Sequence, residues 1–120
     1  MHEFSVASGI LETVIDEAKK HNAEKVTRIS LELGKLSMIS GQQLEFALQI
    51  LSEGTMAEGA KIHIRVRPLI IKCARGHVSE VSGEGYDLYA RLRGISCSDC
   101  GGEVDLIGGK ECMIKEIAAE

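Results

Sequence analysis

Apolar residues recur every three or four positions at the start of this chain. Val6, Ala7, Ile10, Leu11, Val14, Ile15 and Ala18 share one face, while Glu12, Asp16, Lys19 and Lys20 take the other. This spacing predicts an amphipathic helix over 4–20 with one buried side, which Asn22 can stop. The period then changes from 3.6 to 2. Between 26 and 33, Ile29, Leu31 and Leu33 alternate with Arg28, Ser30 and Glu32, as in a half-buried strand closed by Gly34. Ser40-Gly41-Gln42-Gln43 has the form of a capping box, in which Ser40 accepts from a free helix amide and Gln43 reaches back. The helix it opens buries Leu44, Ala47, Leu48 and Leu51, carries Phe46 and Ile50 at its margins, and stops near Gly54. A second alternating run, Lys61–Arg67, turns Ile62, Ile64 and Val66 inward, and the single proline, Pro68, halts it.

Beyond Pro68 the pattern fades. Residues 69–72 lead into Cys73, 78–93 is polar and glycine-bearing without a helical period, and 97–109 is rich in turn residues. Only 111–117, with Cys112, Ile114 and Ile117, reads again as a strand. The order implies an α+β fold, with two helices packed on a small, about three-stranded β-sheet and a zinc-ribbon-like module inserted before the last strand. On this reading 1–68 and 104–120 form the α+β domain, and 69–103 forms the module.

Composition narrows the function. With 44% apolar residues but only two Phe, two Tyr and no Trp, the core must be aliphatic. A net charge of −4 argues against a surface that tracks nucleic-acid phosphates. No apolar run approaches the roughly 20 residues that span a bilayer, and the first residues lack the basic and apolar regions of a secretory signal. The expectation is a cytoplasmic protein that engages neither membrane nor nucleic acid. In that compartment four Cys point to metal or redox chemistry more than to disulfides.

Cys97-Ser98-Asp99-Cys100-Gly101-Gly102 has the shape of a zinc knuckle: two thiolates three residues apart can bind one ion, and the glycines permit the turn beneath them. A lone C-x-x-C could equally be a redox motif, but no strand-then-helix context places this one at a helix N-terminus. The other half is Cys73-Ala74-Arg75-Gly76-His77, where Gly76 stands at the position a second Cys would take. The His77 imidazole can close a Cys3His set with Cys73, Cys97 and Cys100; water or Cys112 is the alternative fourth ligand. Cys112 lies in an apolar run, where free Cys acts as a small buried hydrophobe. A closed site of this kind is structural, supplying folding energy to a segment with little core of its own. His21 and His63 read as surface residues.

Met1-His2-Glu3 offers a different chemistry. A free terminal amine, the next amide nitrogen and the His2 imidazole can form fused chelate rings, and the Glu3 amide can complete a planar set. Such nitrogen-rich donors suit Ni(II) or Cu(II) rather than zinc. The bland alternative is a frayed end.

Three stretches together resemble the HypA/HybF family of hydrogenase maturation factors. They are Met1-His2-Glu3 leading into an amphipathic helix, Leu33-Gly34-Lys35-Leu36, and Gly54-Thr55-Met56-Ala57-Glu58-Gly59-Ala60 before a strand. The resemblance runs over nearly the whole chain, the cysteine module included. It implies a non-enzymatic metallochaperone that carries Ni(II) for maturation of the [NiFe]-hydrogenase large subunit. Nickel would be held at Met1, His2 and Glu3, and structural Zn(II) at Cys73, Cys97 and Cys100. The family pattern has two C-x-x-C pairs, from which Gly76 departs; His77 is the substitute ligand. The implied partners are a maturation GTPase that also handles nickel and the hydrogenase large-subunit precursor. No Gly-rich loop ending in Lys-Ser/Thr occurs here, so nucleotide hydrolysis belongs to a partner. The competing reading is a zinc-ribbon protein-interaction module without nickel transfer.

Overall fold

The computed structural model describes residues 2–83 and 86–120. Its first helix, α1 (His2–Lys20), buries Ala7, Ile10, Leu11, Val14 and Ala18, the stripe expected from the 3.6 period. It ends as the sequence suggests. Asn22 takes the left-handed conformation at φ 59°, and the Ala23 amide bonds back to Ala18 O at 3.0 Å, satisfying a terminal carbonyl. Strand β1 (Val26–Gly34) follows, then a short 3-10 turn (Lys35–Ser37) and α2 (Gly41–Ser52). Leu44, Ala47 and Leu48 of α2 are fully buried, whereas Phe46 and Ile50 are exposed.

The remaining elements are β2 (Lys61–Arg67), β3 (Leu69–Cys73), β4 (Val78–Val81), α3 (Tyr86–Leu92), β5 (Val104–Gly108) and β6 (Cys112–Ala119). They build two three-stranded sheets, ordered β2-β1-β6 and β4-β3-β5. The architecture is α+β, as expected. Several details differ from the expectation. Glu32, expected on the polar face of β1, is buried, and Leu51 of α2 is only half-buried. Val66 is 52% exposed rather than buried. A third helix occupies part of 78–93, and the turn-rich stretch contains β5, which pairs with β3 from Cys73↔Val104 to Ile70↔Gly108.

Contacts divide the chain into two compact units: 1–32, 39–65 and 113–120 in one, 33–38 and 66–112 in the other. In the first unit α1 packs against α2, and the core is aliphatic: Ile10, Leu11, Val14, Val26, Ile29, Leu31, Leu44 and Leu48. In the second, Leu69, Ile71, Val81 and Leu88 form a small core with Leu36, Leu92, Ile95, Val104 and Leu106 around it. Within this unit two backbone runs nearly touch. Gly34 N bonds to Glu111 O and Leu36 N to Gly109 O, each at 2.9 Å. A Cβ at Gly34 would fall on the Gly109 carbonyl, so the glycine of the Leu33–Leu36 turn exists to let the chains cross.

Candidate metal centre

Strand β3 delivers Cys73 at its last residue, and the chain then turns tightly. The Cys73 amide donates to His77 O, and the Gly76 amide to Cys73 O, both at 3.0 Å. Gly76 sits at φ 92°, where a side chain is strained. This explains why position 76 carries no Cys: the turn places its bend there, and the ligand follows one residue later. The second knuckle repeats the pattern with one more residue. The Gly101 amide donates to Cys97 O at 2.8 Å and the Cys97 amide to Gly102 O at 2.9 Å, with Gly101 at φ 72°. There the bend falls after the second ligand, Cys100.

The two knuckles bring Cys73, His77, Cys97 and Cys100 together, with all four ligand atoms within 4.8 Å of one another. His77 Nδ1 is 3.3 Å from Cys73 Sγ and 3.5 Å from Cys97 Sγ. Cys100 Sγ is 3.8 Å from Cys73 Sγ. Zinc–sulfur and zinc–nitrogen bonds of about 2.3 and 2.0 Å in a tetrahedron set donor spacings of about 3.8 Å for S···S and about 3.5 Å for S···N. The donor set therefore fits a tetrahedral ion in both chemistry and spacing. Cys73 and Cys97 are buried, and His77 and Cys100 half-buried. Cys112, the other candidate for a fourth ligand, starts β6 and is not part of the group; burial pushes its thiol up.

Electrostatics prepares the group for a cation. Burial, the largest influence on Cys73, opposes ionisation, but the His77 and Arg75 amides and the Cys100 and Cys97 thiols outweigh it and pull Cys73 down to about 6. The His77 amide lies 3.3 Å from Cys73 Sγ. The Cys100 amide is the main cause that lowers Cys97. Cys100 accepts from the Gly102 amide, which favours its thiolate, yet burial and the neighbouring Cys97 and Cys73 push it up. His77 is raised chiefly by its hydrogen bonds to Cys97 and Cys73. Negative charge thus accumulates at the sulfurs until an ion or the imidazolium offsets it.

The first residues carry the second candidate. Met1 lies outside the described residues. Exposed His2 and half-buried Glu3 open α1. As in any helix, the amides of its first turn lack an i−4 acceptor. The Glu3 carboxylate is engaged elsewhere: Oε2 accepts the Ser40 amide at 3.3 Å. Its own backbone amide first, and then the Ser40 amide, hold the Glu3 carboxyl below its usual value. Half of the predicted capping box is present, since Ser40 Oγ accepts from the Gln43 amide at 3.2 Å. The reciprocal acceptor for the Ser40 amide is Glu3 and not Gln43. No periodicity or motif announces this contact, because it joins residues far apart in the chain.

An α+β chain with a four-donor, Cys3His group built from two hydrogen-bonded knuckles is a small metal-handling protein of the zinc-ribbon-bearing type. Among the described residues no helix is long and apolar enough to cross a membrane. A family model described as "Hydrogenase/urease nickel incorporation, metallochaperone, hypA" matches residues 1–119. Over the whole chain it is 40% identical to the hydrogenase maturation factor HypA of Methanothermobacter thermautotrophicus, of which 98% is covered. The HypA of Methanopyrus kandleri is 38% identical, with 100% of this chain and 94% of that protein covered. The chain belongs to the HypA family of nickel-incorporation metallochaperones for hydrogenase maturation. The fold agrees: a solution structure of the Ni metallochaperone HypA from Helicobacter pylori superposes with a TM-score of 0.67 at 21% identity, covering 98% of this chain and 96% of that one.

Proposed function

We propose that this protein carries Ni(II) to the precursor of the [NiFe]-hydrogenase large subunit, in the cytoplasm and together with a maturation GTPase that also handles nickel. The cargo is bound by the Met1 amine, the His2 imidazole and the backbone amides that follow, including that of Glu3. The α+β unit does the carrying. The Cys3His group of Cys73, His77, Cys97 and Cys100 holds a structural Zn(II), which cross-links two knuckles that share only a small core. No step in this task requires a catalytic side chain.

One observation supports the nickel reading above the others: α1 begins at His2, so an exposed imidazole stands beside amides that have no helical acceptor. The Glu3 carboxylate accepts the Ser40 amide as well as its own, so the Glu3 amide becomes a donor to the ion once that local bond opens. The positive end of the helix dipole favours loss of an amide proton but disfavours a held cation. Both effects suit a carrier that must release its load.

Calorimetric titration of Ni(II) into zinc-loaded protein tests this. His2→Ala and a variant with one residue added ahead of Met1 should each lose most of the binding. If both bind nickel like the parent, the terminal site is wrong, and the chain is better read as an interaction module stabilised by zinc.

A further inference from the structure

Strand β2 is the edge of the first unit's sheet, with β1 as its single neighbour among the described residues. Every residue of β2 is exposed or half-buried. Open edges are normally blunted or covered, because their outward amides and carbonyls pair readily with another strand. Here the edge alternates from Lys61 to Arg65. Lys61, His63 and Arg65 point to one face, and the half-buried Ile62 and Ile64 to the other.

Charge is concentrated on the same face. His63 and Arg65 border a depression of about 400 Å³ that Arg28, Ser30, Glu32 and Lys115 also line. Arg28 is paired with Glu116. Lys61, His63, Arg65 and Lys115 have no carboxylate partner among the described residues. On a chain of net charge −4 this is a local cationic surface. A second copy of β2 is a poor occupant, since it would set Lys61, His63 and Arg65 against their own kind.

We propose that β2 is a docking edge for an extended acidic segment of a partner protein, which adds to the sheet as a fourth strand. Backbone hydrogen bonds to the open side of β2 supply the attachment. Acidic side chains at alternate positions meet Lys61, His63 and Arg65, and apolar side chains between them extend the layer begun by Ile62 and Ile64. The cations thus have two roles, rejecting like strands and selecting acidic ones. This inference does not depend on either metal site.

The test uses the full chain, loaded with zinc, and two peptides as long as β2, of 7 residues. In one peptide Glu and Val alternate; in the other the same residues are grouped in blocks. The alternating peptide should bind, shift the amide resonances of 61–65 and slow their hydrogen exchange. Lys61→Glu with Arg65→Glu, two exposed changes whose folding circular dichroism can check, should weaken it about tenfold or more, because like charges replace opposite ones at two pairs. Equal binding of the block peptide would reduce the surface to simple charge attraction and overturn the proposal. So would unchanged exchange at 61–65, tighter binding of an oligonucleotide of equal charge, or a concentration-dependent dimer of the parent chain that the double variant abolishes.

Discussion

Replacing Gly109 with alanine puts a methyl group where two backbone segments cross. The added Cβ would lie 2.7 Å from Leu69 Cα and 2.9 Å from the Pro68 carbonyl carbon. Neither is the tip of a flexible side chain, so the strand itself must move. Gly109 also has φ 87°, which costs a residue with a Cβ about 1–2 kcal/mol. Overpacking of a tight contact costs about 1–3 kcal/mol, so the substitution should destabilise the second unit by about 2–5 kcal/mol. Leu69 is fully buried and opens the strand that ends at Cys73, so the strain reaches the small core first. The readout is built in. The chain has two Tyr and no Trp, and both Tyr86 and Tyr89 lie in α3 of the second unit. Tyrosine emission during urea unfolding therefore follows that unit alone. With a slope near 2 kcal/mol per M, the midpoint should fall by about 1–2.5 M. A fall of less than about 0.25 M would refute the crossing argument. Gly9 is the control: a Cβ there meets nothing within 4 Å in the middle of α1, so Gly9→Ala should stabilise the helix by about 0.5–1 kcal/mol and leave the tyrosine signal unmoved.

Three further outcomes are expected. His77→Ala should weaken zinc binding in a chelator competition while His77→Cys restores part of it; equal affinity in all three proteins would remove His77 from the ligand set. The folded Cys73 thiol, at about 6, lies below its ordinary value, so the thiolate's stabilising contribution is present above that ordinary value and is lost as pH falls through about 6. Protons also compete directly for thiolates and imidazole, so zinc should stay bound at neutral pH and leave on acidification; half-release above pH 7 contradicts the assignment. Ser40→Ala removes the acceptor for the Gln43 amide and should cost about 1 kcal/mol of stability in the first unit, read by circular dichroism; a change near zero would mean that water caps the helix equally well.

Much of this was legible in the chain, for identifiable reasons. Helix α1 buries one face and the middle of strand β1 alternates, so period and burial coincide at Ile10, Leu11, Val14, Ile29 and Leu31. The Cys3His group was legible because ligand spacing survives whatever the surrounding loop does. Helix α3 was not. Flanked by Gly83 and Gly94, it spans two turns, and among its described side chains Leu88 alone is completely buried, which is too little to imprint a helical period. Strand β5 hid among glycines, with Val104 and Leu106 its only half-buried side chains. Val66 was expected inside because alternation marks a face without saying whether anything covers it. The Glu3–Ser40 contact and the Gly34–Gly109 crossing are tertiary, and no local pattern encodes either.

The two knuckles have a consequence for how this family can vary. With an ion between them, His77 and Cys97 become the fixed ends of the segment that carries β4 and α3, whose Val81 and Leu88 also anchor it in the small core. Once its ends are tied, doubling the length of a flexible loop costs only about 0.6 kcal/mol in closure entropy. The staple fixes the ends of the connections that flank β4 and α3. Insertions there should be tolerated far better than in the Leu33–Leu36 turn, where a single methyl group has no room. The module is in that sense a socket, fixed at its rim and able to take new sequence in the turns between its elements.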